Sequence, residues 1–226
     1  MIFSRHGRFA RKRARAAEAA KGTPLENYYA IDQPDFEAEA DAMSMIAIDL
    51  ETDGLDARTD AVLEAGWVGL TPQAISTPTA GRLRFRPDRK LSEQSVVIHH
   101  IMDDEAATGL AETDALTALL PALAGKPLVA HFAEIERDFL DAACRRCFDA
   151  PFVAPFICTM QLEQRWYPAT RAADGLRLGK LRARHGLPAY RAHDGLTDAL
   201  ACAELFLAQR AKRGDAPIPL GDLLDH

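Results

Sequence analysis

From Met45 the chain turns abruptly apolar. MIAIDL is a run of strand length that ends in polar residues and a turn at Gly54, the pattern of a buried strand. AVLEAGWVGL (61–70) and GRLRFRP (81–87) are the next strands, and in the second Leu83 and Phe85 alternate with Arg82, Arg84 and Arg86, so one face meets solvent. Leu116, Leu119, Leu120 and Leu123 recur at helical spacing, with Pro121 expected to break or restart that helix. KPLVAH then supplies a short buried strand. Ile135, Phe139, Ala142 and Ala143 mark one face of a helix over 133–148, and 152–158 reads as a further strand. Helical pieces fill 158–187, and Leu196, Leu200, Ala203 and Leu207 define a last amphipathic helix to about 210. Three strands followed by alternating helix and strand predict an α/β layered fold, a mixed central β-sheet flanked by α-helices.

The ends lack this periodicity. Residues 1–43 divide into a basic arm, read as a solvated helix or disordered segment, and an acidic linker that lays Tyr28, Tyr29 and Phe36 on the domain. The domain is expected over 44–210, with a short tail over 211–226. With 48% hydrophobic residues in 226, the chain can bury one sizeable core. Its net charge of -6 hides an asymmetry: residues 1–21 hold seven Lys/Arg against Glu18 alone, which leaves 20 basic and 32 acidic residues in the remainder. An acidic body argues against a general nucleic-acid-coating protein and suits the holding of metal cations. No apolar run approaches the ~18–20 residues of a membrane span, and Arg occupies the first residues where a secretory signal needs an apolar stretch. Cys144, Cys147, Cys158 and Cys202 form neither a disulfide framework nor two ligand pairs, so the expected compartment is the reducing cytoplasm, with no membrane contact.

Within AIDLETDGLD, Asp49 and Glu51 stand two apart on a strand, and a period of two puts both carboxylates on one face. Like charges side by side in an apolar setting call for a cation, and hard divalent ions prefer oxygen ligands. Two later segments, AHFAEIERDFL (130–140) and AHDGLTDALACAELFL (192–207), each pass from strand or loop into helix and each add acid and His. In the second, Asp198 lies in the first turns of the helix at the border of its apolar stripe. His193 precedes it by five residues in the loop, where an imidazole of near-neutral pKa suits abstraction of a proton from water. The combination fits metal-assisted hydrolysis.

Together these segments resemble the DEDDh family of 3′-to-5′ exonucleases, the ribonuclease H-like group that includes the proofreading epsilon subunit of bacterial DNA polymerase III, over residues 44 to about 207. AIDLETDGLD resembles the first motif, which implies metal-ligand roles for Asp49 and Glu51. AHDGLTDA resembles the third, His-x-x-x-x-Asp, which implies His193 as general base and Asp198 as metal ligand. VVIHHI around His99 looks like the Ile-His-Gly-Ile segment between them, with His100 in place of Gly, and His99 would face the substrate. Leu55 resembles the apolar residue set against the terminal base, and Thr52 lies where the 3′ hydroxyl would be held. The second motif departs from the family's His-Asn-Ala-x-Phe-Asp: here it is His131-Phe132-Ala133-Glu134-Ile135-Glu136. Glu136 keeps the ligand charge but adds a methylene, and Asp138, some 200° further round the helix by the ~100° per residue of helical geometry, is a poor substitute.

The resemblance implies a metal-dependent exonuclease that uses two divalent cations, Mg²⁺ or Mn²⁺, on 3′ ends of single-stranded DNA, or of RNA, in repair or proofreading. The competing reading is a catalytically weak or inactive nucleic-acid- or protein-binding module on the same fold, motivated by Glu136 and Phe132. A polymerase is the candidate protein partner. The roughly 16 residues after the last helix are shorter than the polymerase-binding tail typical of the epsilon subunit, which disfavours permanent attachment.

Overall fold

The computed structural model describes residues 5–87, 108–168, 173–214 and 216–225. Strands β1 (Met45–Thr52), β2 (Val62–Thr71) and β3 (Ala74–Arg86) form an antiparallel meander. The short β4 (Leu110–Ala111) joins the outer edge of β3, while β5 (Leu128–Ala130) and β6 (Phe156–Cys158) extend the sheet in parallel from β1. The order is β4-β3-β2-β1-β5-β6, a mixed six-stranded sheet. Helices α1 (Arg5–Ala19), α2 (Pro24–Ala30), α3 (Glu112–Leu123), α4 (Glu134–Phe148), α5 (Thr159–Trp166), α6 (Leu178–Arg184), α7 (Gly195–Arg213) and α8 (Leu220–Leu223) surround it. None of the described helices is long and apolar enough to cross a membrane, and Cys144, Cys147, Cys158 and Cys202 are all free thiols.

The alternation of β1 sorts its side chains between two cores. Ile46, Ile48 and Leu50 pack with Leu116, Leu119, Phe139 and Leu140 of α3 and α4. Met45 and Ala47 face the other way, against Val68, Val129, Ile157 and Cys202, Ala203 and Phe206 of α7. Asp49 and Glu51 continue this second set, so the strand's own period aims both carboxylates toward α7.

Several elements differ from expectation. β3 begins at Ala74, seven residues ahead of the alternating GRLRFRP, because Ala74, Ile75 and Ser76 pair with β2, while only Ile75 of this stretch packs on the core and residues 76–80 stay exposed with no alternation to mark them. Pro121 does not break α3. Both Pro121 and Thr117, whose carbonyl loses its helical donor, face solvent, where water replaces the bond, and Leu116, Leu119, Leu120 and Leu123 hold the helix down. The strand expected over 152–158 is confined to 156–158, between Pro151, Pro155 and the start of α5. On α7 the buried stripe is Ala199, Cys202, Leu205 and Phe206, with Leu196, Leu200 and Leu207 half-buried at its edges.

The ends are built into the body. Arg13 of α1 donates to the carbonyls of Tyr29 (3.2 Å) and Ile31 (2.6 Å), and its guanidinium lies over the Tyr29 ring. The Tyr28 and Tyr29 hydroxyls of α2 donate in turn to the carbonyls of Val153 and Pro151. The helix expected to have little to bury therefore buries Ala16 and Ala20, small residues that a search for large apolar side chains passes over. At the other end Leu220, Leu223 and Leu224 are buried, and Leu220 and Gly221 donate to the carbonyls of Ala38 and Phe36.

The first turn of α7 rests directly on β2 at Gly66, where a Cβ would run into the backbone of Gly195 and Leu196. Gly66→Ala is therefore expected to destabilise the protein by about 1–3 kcal/mol, read as a lowered urea midpoint at unchanged slope.

Candidate active site

Carboxylate oxygens of Asp49, Glu51 and Asp198 lie within 4.8 Å of one another. Glu51 and Asp198 are buried; Asp49 is half-buried by its exposed surface, yet its carboxyl is packed round by protein. β1 supplies two of the three and the first turn of α7 supplies the third. Glu136 reaches the site from α4 on the opposite layer, fully inside, with one carboxylate oxygen left without a hydrogen-bond partner. It stands outside the 4.8 Å group but is the strongest neighbouring charge on Asp49. The protonation equilibria register this crowding. Burial first, and then Glu136, Asp198, Glu51 and Glu64, hold the Asp49 carboxyl well above the usual range. Burial pushes Glu136 up to about 8, against backbone hydrogen bonds at Leu50 and at Glu136 itself. Asp198 is raised as well, chiefly by burial. Buried oxygen ligands that resist ionisation beside one another, one of them unpartnered, fit hard divalent cations.

Asp198 is held from three directions. The backbone N–H groups of His193 (2.7 Å) and Asp194 (3.1 Å) donate to its Oδ2, and the Tyr190 hydroxyl donates to its Oδ1 at 2.6 Å. The Tyr190 ring is backed by the Arg182 guanidinium, 4.9 Å from its centroid, and Arg182 is itself buried and anchored on the Ala201 carbonyl of α7. Asp194 caps α7 through the Thr197 N–H and pairs with Arg82 of β3. Glu64 of β2, opposite Glu51 in the register, accepts from the Gly195 N–H and pairs with Arg82 and Arg84. Burial raises its pKa, and the two arginines work against that rise.

Sequence reasoning missed Tyr190, Arg182 and Glu64. Glu64 carried a signal, a lone acid inside the apolar run AVLEAGWVGL, whereas Tyr190 stands in a loop with no periodicity.

His193 is exposed in the loop before α7, with a left-handed backbone (φ 68°). Phe132 also has positive φ (62°) and is 43% exposed at the junction between β5 and α4. A bulky ring in the left-handed region is strained, and such strain gathers at functional sites. His131, beside it, is structural: Nε2 donates to the Leu176 carbonyl, Nδ1 accepts from the Thr159 hydroxyl, and burial lowers its pKa to about 4. Thr52 is buried at the end of β1, and its hydroxyl donates to the Gly54 carbonyl. Leu55, 82% exposed, lines a cleft of about 650 Å³ with Arg58, Ile135, Asp138 and Arg145. Asp138 thus faces the cleft, away from the carboxylate group. His99 lies outside the described residues.

Two outcomes follow from this geometry. Tyr190→Phe removes one of the donors that orient Asp198, and the affinity for Mn²⁺ in calorimetric titration is expected to fall about tenfold with secondary structure unchanged. Between about pH 4.5 and 8 the folded protein keeps a proton on Glu136 that the unfolded chain has released. Stability in EDTA is therefore expected to decline as pH rises through that interval, and Glu136→Gln to flatten much of the decline in urea unfolding.

A family model described as an exonuclease domain (RNase_T) matches residues 46–206, more than two-thirds of the chain. The DNA polymerase III subunit epsilon of Treponema pallidum is 30% identical over 174 residues, covering 76% of this chain and 80% of the relative. Among solved structures, exonuclease X in complex with 5′ overhanging duplex DNA aligns with a TM-score of 0.60 at 23% identity, covering 79% of this chain and 98% of that one. The nuclease domain of 3′hExo, a DEDDh family member bound to rAMP, aligns at 0.65 and 16% identity over 80% of this chain and all of that one. With the mixed sheet and the carboxylate group already in place, these likenesses make the chain a member of the exonuclease family, a hydrolase on the ribonuclease H-like α/β fold.

Proposed function

We propose that the protein removes nucleotides successively from the 3′ ends of single-stranded nucleic acid, DNA in preference to RNA, as in proofreading or repair. The observation that carries this reading is the convergence of Asp49, Glu51 and Asp198 within 4.8 Å, with Glu136 buried beside them. Asp49, Glu51, Glu136 and Asp198 would hold two divalent cations, Mg²⁺ or Mn²⁺, which supply charge neutralisation at the scissile phosphate and acidify water. His193, in the solvent-exposed loop, takes the proton of the attacking water as its oxygen bonds to phosphorus and the 3′ oxygen of the preceding nucleotide leaves. Leu55, 82% exposed beside the end of β1, stands against the base of the terminal nucleotide, with Thr52 at its 3′ hydroxyl. A single strand costs least to unstack on entry. His99 belongs to the same reading as a substrate-side residue. The retained acid at Glu136 supports turnover over a binding-only role. A polymerase is the candidate partner, by analogy with the Treponema relative, which is named as a polymerase subunit.

The test is degradation of 5′-labelled single-stranded DNA and matched RNA with Mg²⁺, Mn²⁺ or EDTA. A metal-dependent ladder shortening from the 3′ end is expected. Asp49→Asn and Asp198→Asn should each reduce its rate roughly a thousandfold or more, about 4 kcal/mol of transition-state stabilisation. His193→Ala should cost about 10²–10⁴-fold. Full activity in Asp49→Asn, or cleavage at internal positions, would overturn the reading.

A further inference from the structure

The basic arm is a docked helix with a defined outer face. Arg8, Arg11, Lys12 and Arg15 are exposed on α1 at spacings of three, four and seven, which places them on one stripe about 10 Å long. Arg13, on another face, pins the helix to the carbonyls of Tyr29 and Ile31 at the C-terminal end of α2, and Ala16 and Ala20 are buried beneath it. The stripe is therefore carried on a fixed support. Ala10 and Ala14 fall off the stripe, on the flank toward Arg13 and Phe36, and none of the large exposed hydrophobics among the described residues (Ile31, Leu55, Leu110 and Phe132) belongs to α1. Such a face offers nothing to an apolar partner or a bilayer interior and much to a polyanion.

Its position separates it from the carboxylate site. α2, which carries α1, is tied to Pro151 and Val153 just beyond the C-terminal end of α4, whereas Glu136 stands in the first turn of that helix. Twelve residues of helix put roughly 18 Å between those ends. The match to the exonuclease family begins at residue 46, so α1 lies outside the shared region. The remainder of the chain, with 20 basic against 32 acidic residues, repels a strand in the absence of metal.

We propose that the Arg8–Arg15 stripe of α1 is a second nucleic-acid contact, which grips the phosphodiester backbone of a strand whose 3′ end occupies the carboxylate site. This rests on the hydrolytic reading for the identity of the strand. The stripe would add affinity for long substrates without touching the terminal nucleotide, and because it acts through phosphates its contribution is sequence-independent and weakens with salt.

The experiment measures fluorescence anisotropy of a labelled 30-nucleotide and a labelled 6-nucleotide oligo-dT with Ca²⁺ in place of Mg²⁺ or Mn²⁺ across a range of KCl. The wild-type full chain is compared with Arg8→Gln/Arg11→Gln/Lys12→Gln/Arg15→Gln and with the double variant Lys12→Gln/Arg15→Gln, each checked for helix content by circular dichroism. The quadruple variant is expected to bind the 30-mer on the order of tenfold more weakly at low salt. Its slope of log K against log[KCl] should be shallower by up to ~3, from ~0.7 per single-strand phosphate released, with the double variant midway and 6-mer binding unchanged. Equal slopes in wild type and either folded variant would overturn the proposal, as would equal loss of 6-mer and 30-mer binding. Hydrolysis of the 6-mer with Mn²⁺ reads the carboxylate site separately. Absent hydrolysis with a changed slope removes the hydrolytic reading and leaves the contact, whereas intact hydrolysis with equal slopes does the reverse.

Discussion

Mutual repulsion among buried carboxylates is the constraint around which the rest of this structure is arranged. Asp49, Glu51 and Asp198 share one small volume, Glu136 adds its charge from the far layer, and Glu64 stands behind Glu51 on the next strand. Removing an ionised carboxylate from water costs several kcal/mol, and placing others beside it costs more. The fold answers this in two ways. Part of the charge is met by permanent donors, notably the three hydrogen bonds on Asp198 and the two arginines on Glu64. Part is left unmet, as the unpartnered oxygen of Glu136 and the raised proton affinities of Asp49 and Glu136 show. A divalent cation bound among these oxygens would offset that deficit.

The seating of α7 turns this electrostatic arrangement into a reproducible shape. Gly66 lets the helix backbone lie on β2, Asp194 caps the helix, and Arg82 ties the cap to β3 while also pairing with Glu64. Asp198 is therefore positioned by backbone contact and by a network that begins two strands away. Much of what orients this one carboxylate therefore lies on other elements, on β2, β3 and the loop before α7.

How much of this was legible in the sequence depended on the physical origin of each feature. Asp49 and Glu51 were readable as a pair because strand periodicity is a local property, and Asp198 because it marks the start of an amphipathic helix. The alternating order of strands and helices, and so the mixed sheet, followed from the same periodicities. Features that depend on tertiary contact were not readable. The first half of β3 turns only Ile75 toward the core, too little to set up an alternation, Pro121 is tolerated because of which side of α3 meets water, and α1 docks through alanines and one arginine. The buried stripe of α7 also shifted toward Ala199 and Cys202, since a helix set so close to a sheet selects small side chains over the leucines that periodicity favours. Tyr190 became visible only when a loop closed over α7.

Glu136 and Asp198 occupy the first turns of their helices. The aligned peptide dipoles of a helix leave roughly half a positive charge at its N-terminus, so α4 and α7 both present positive ends at the same place. Each interaction of this kind is worth about 0.3–1 kcal/mol at an exposed site and more in a partly buried one. Two carboxylates in two such positions mean that a share of the neutralisation comes from the main chain, which no change of pH or side chain can withdraw. The repulsion among the carboxylates is moderated accordingly, by the direction in which two helices start.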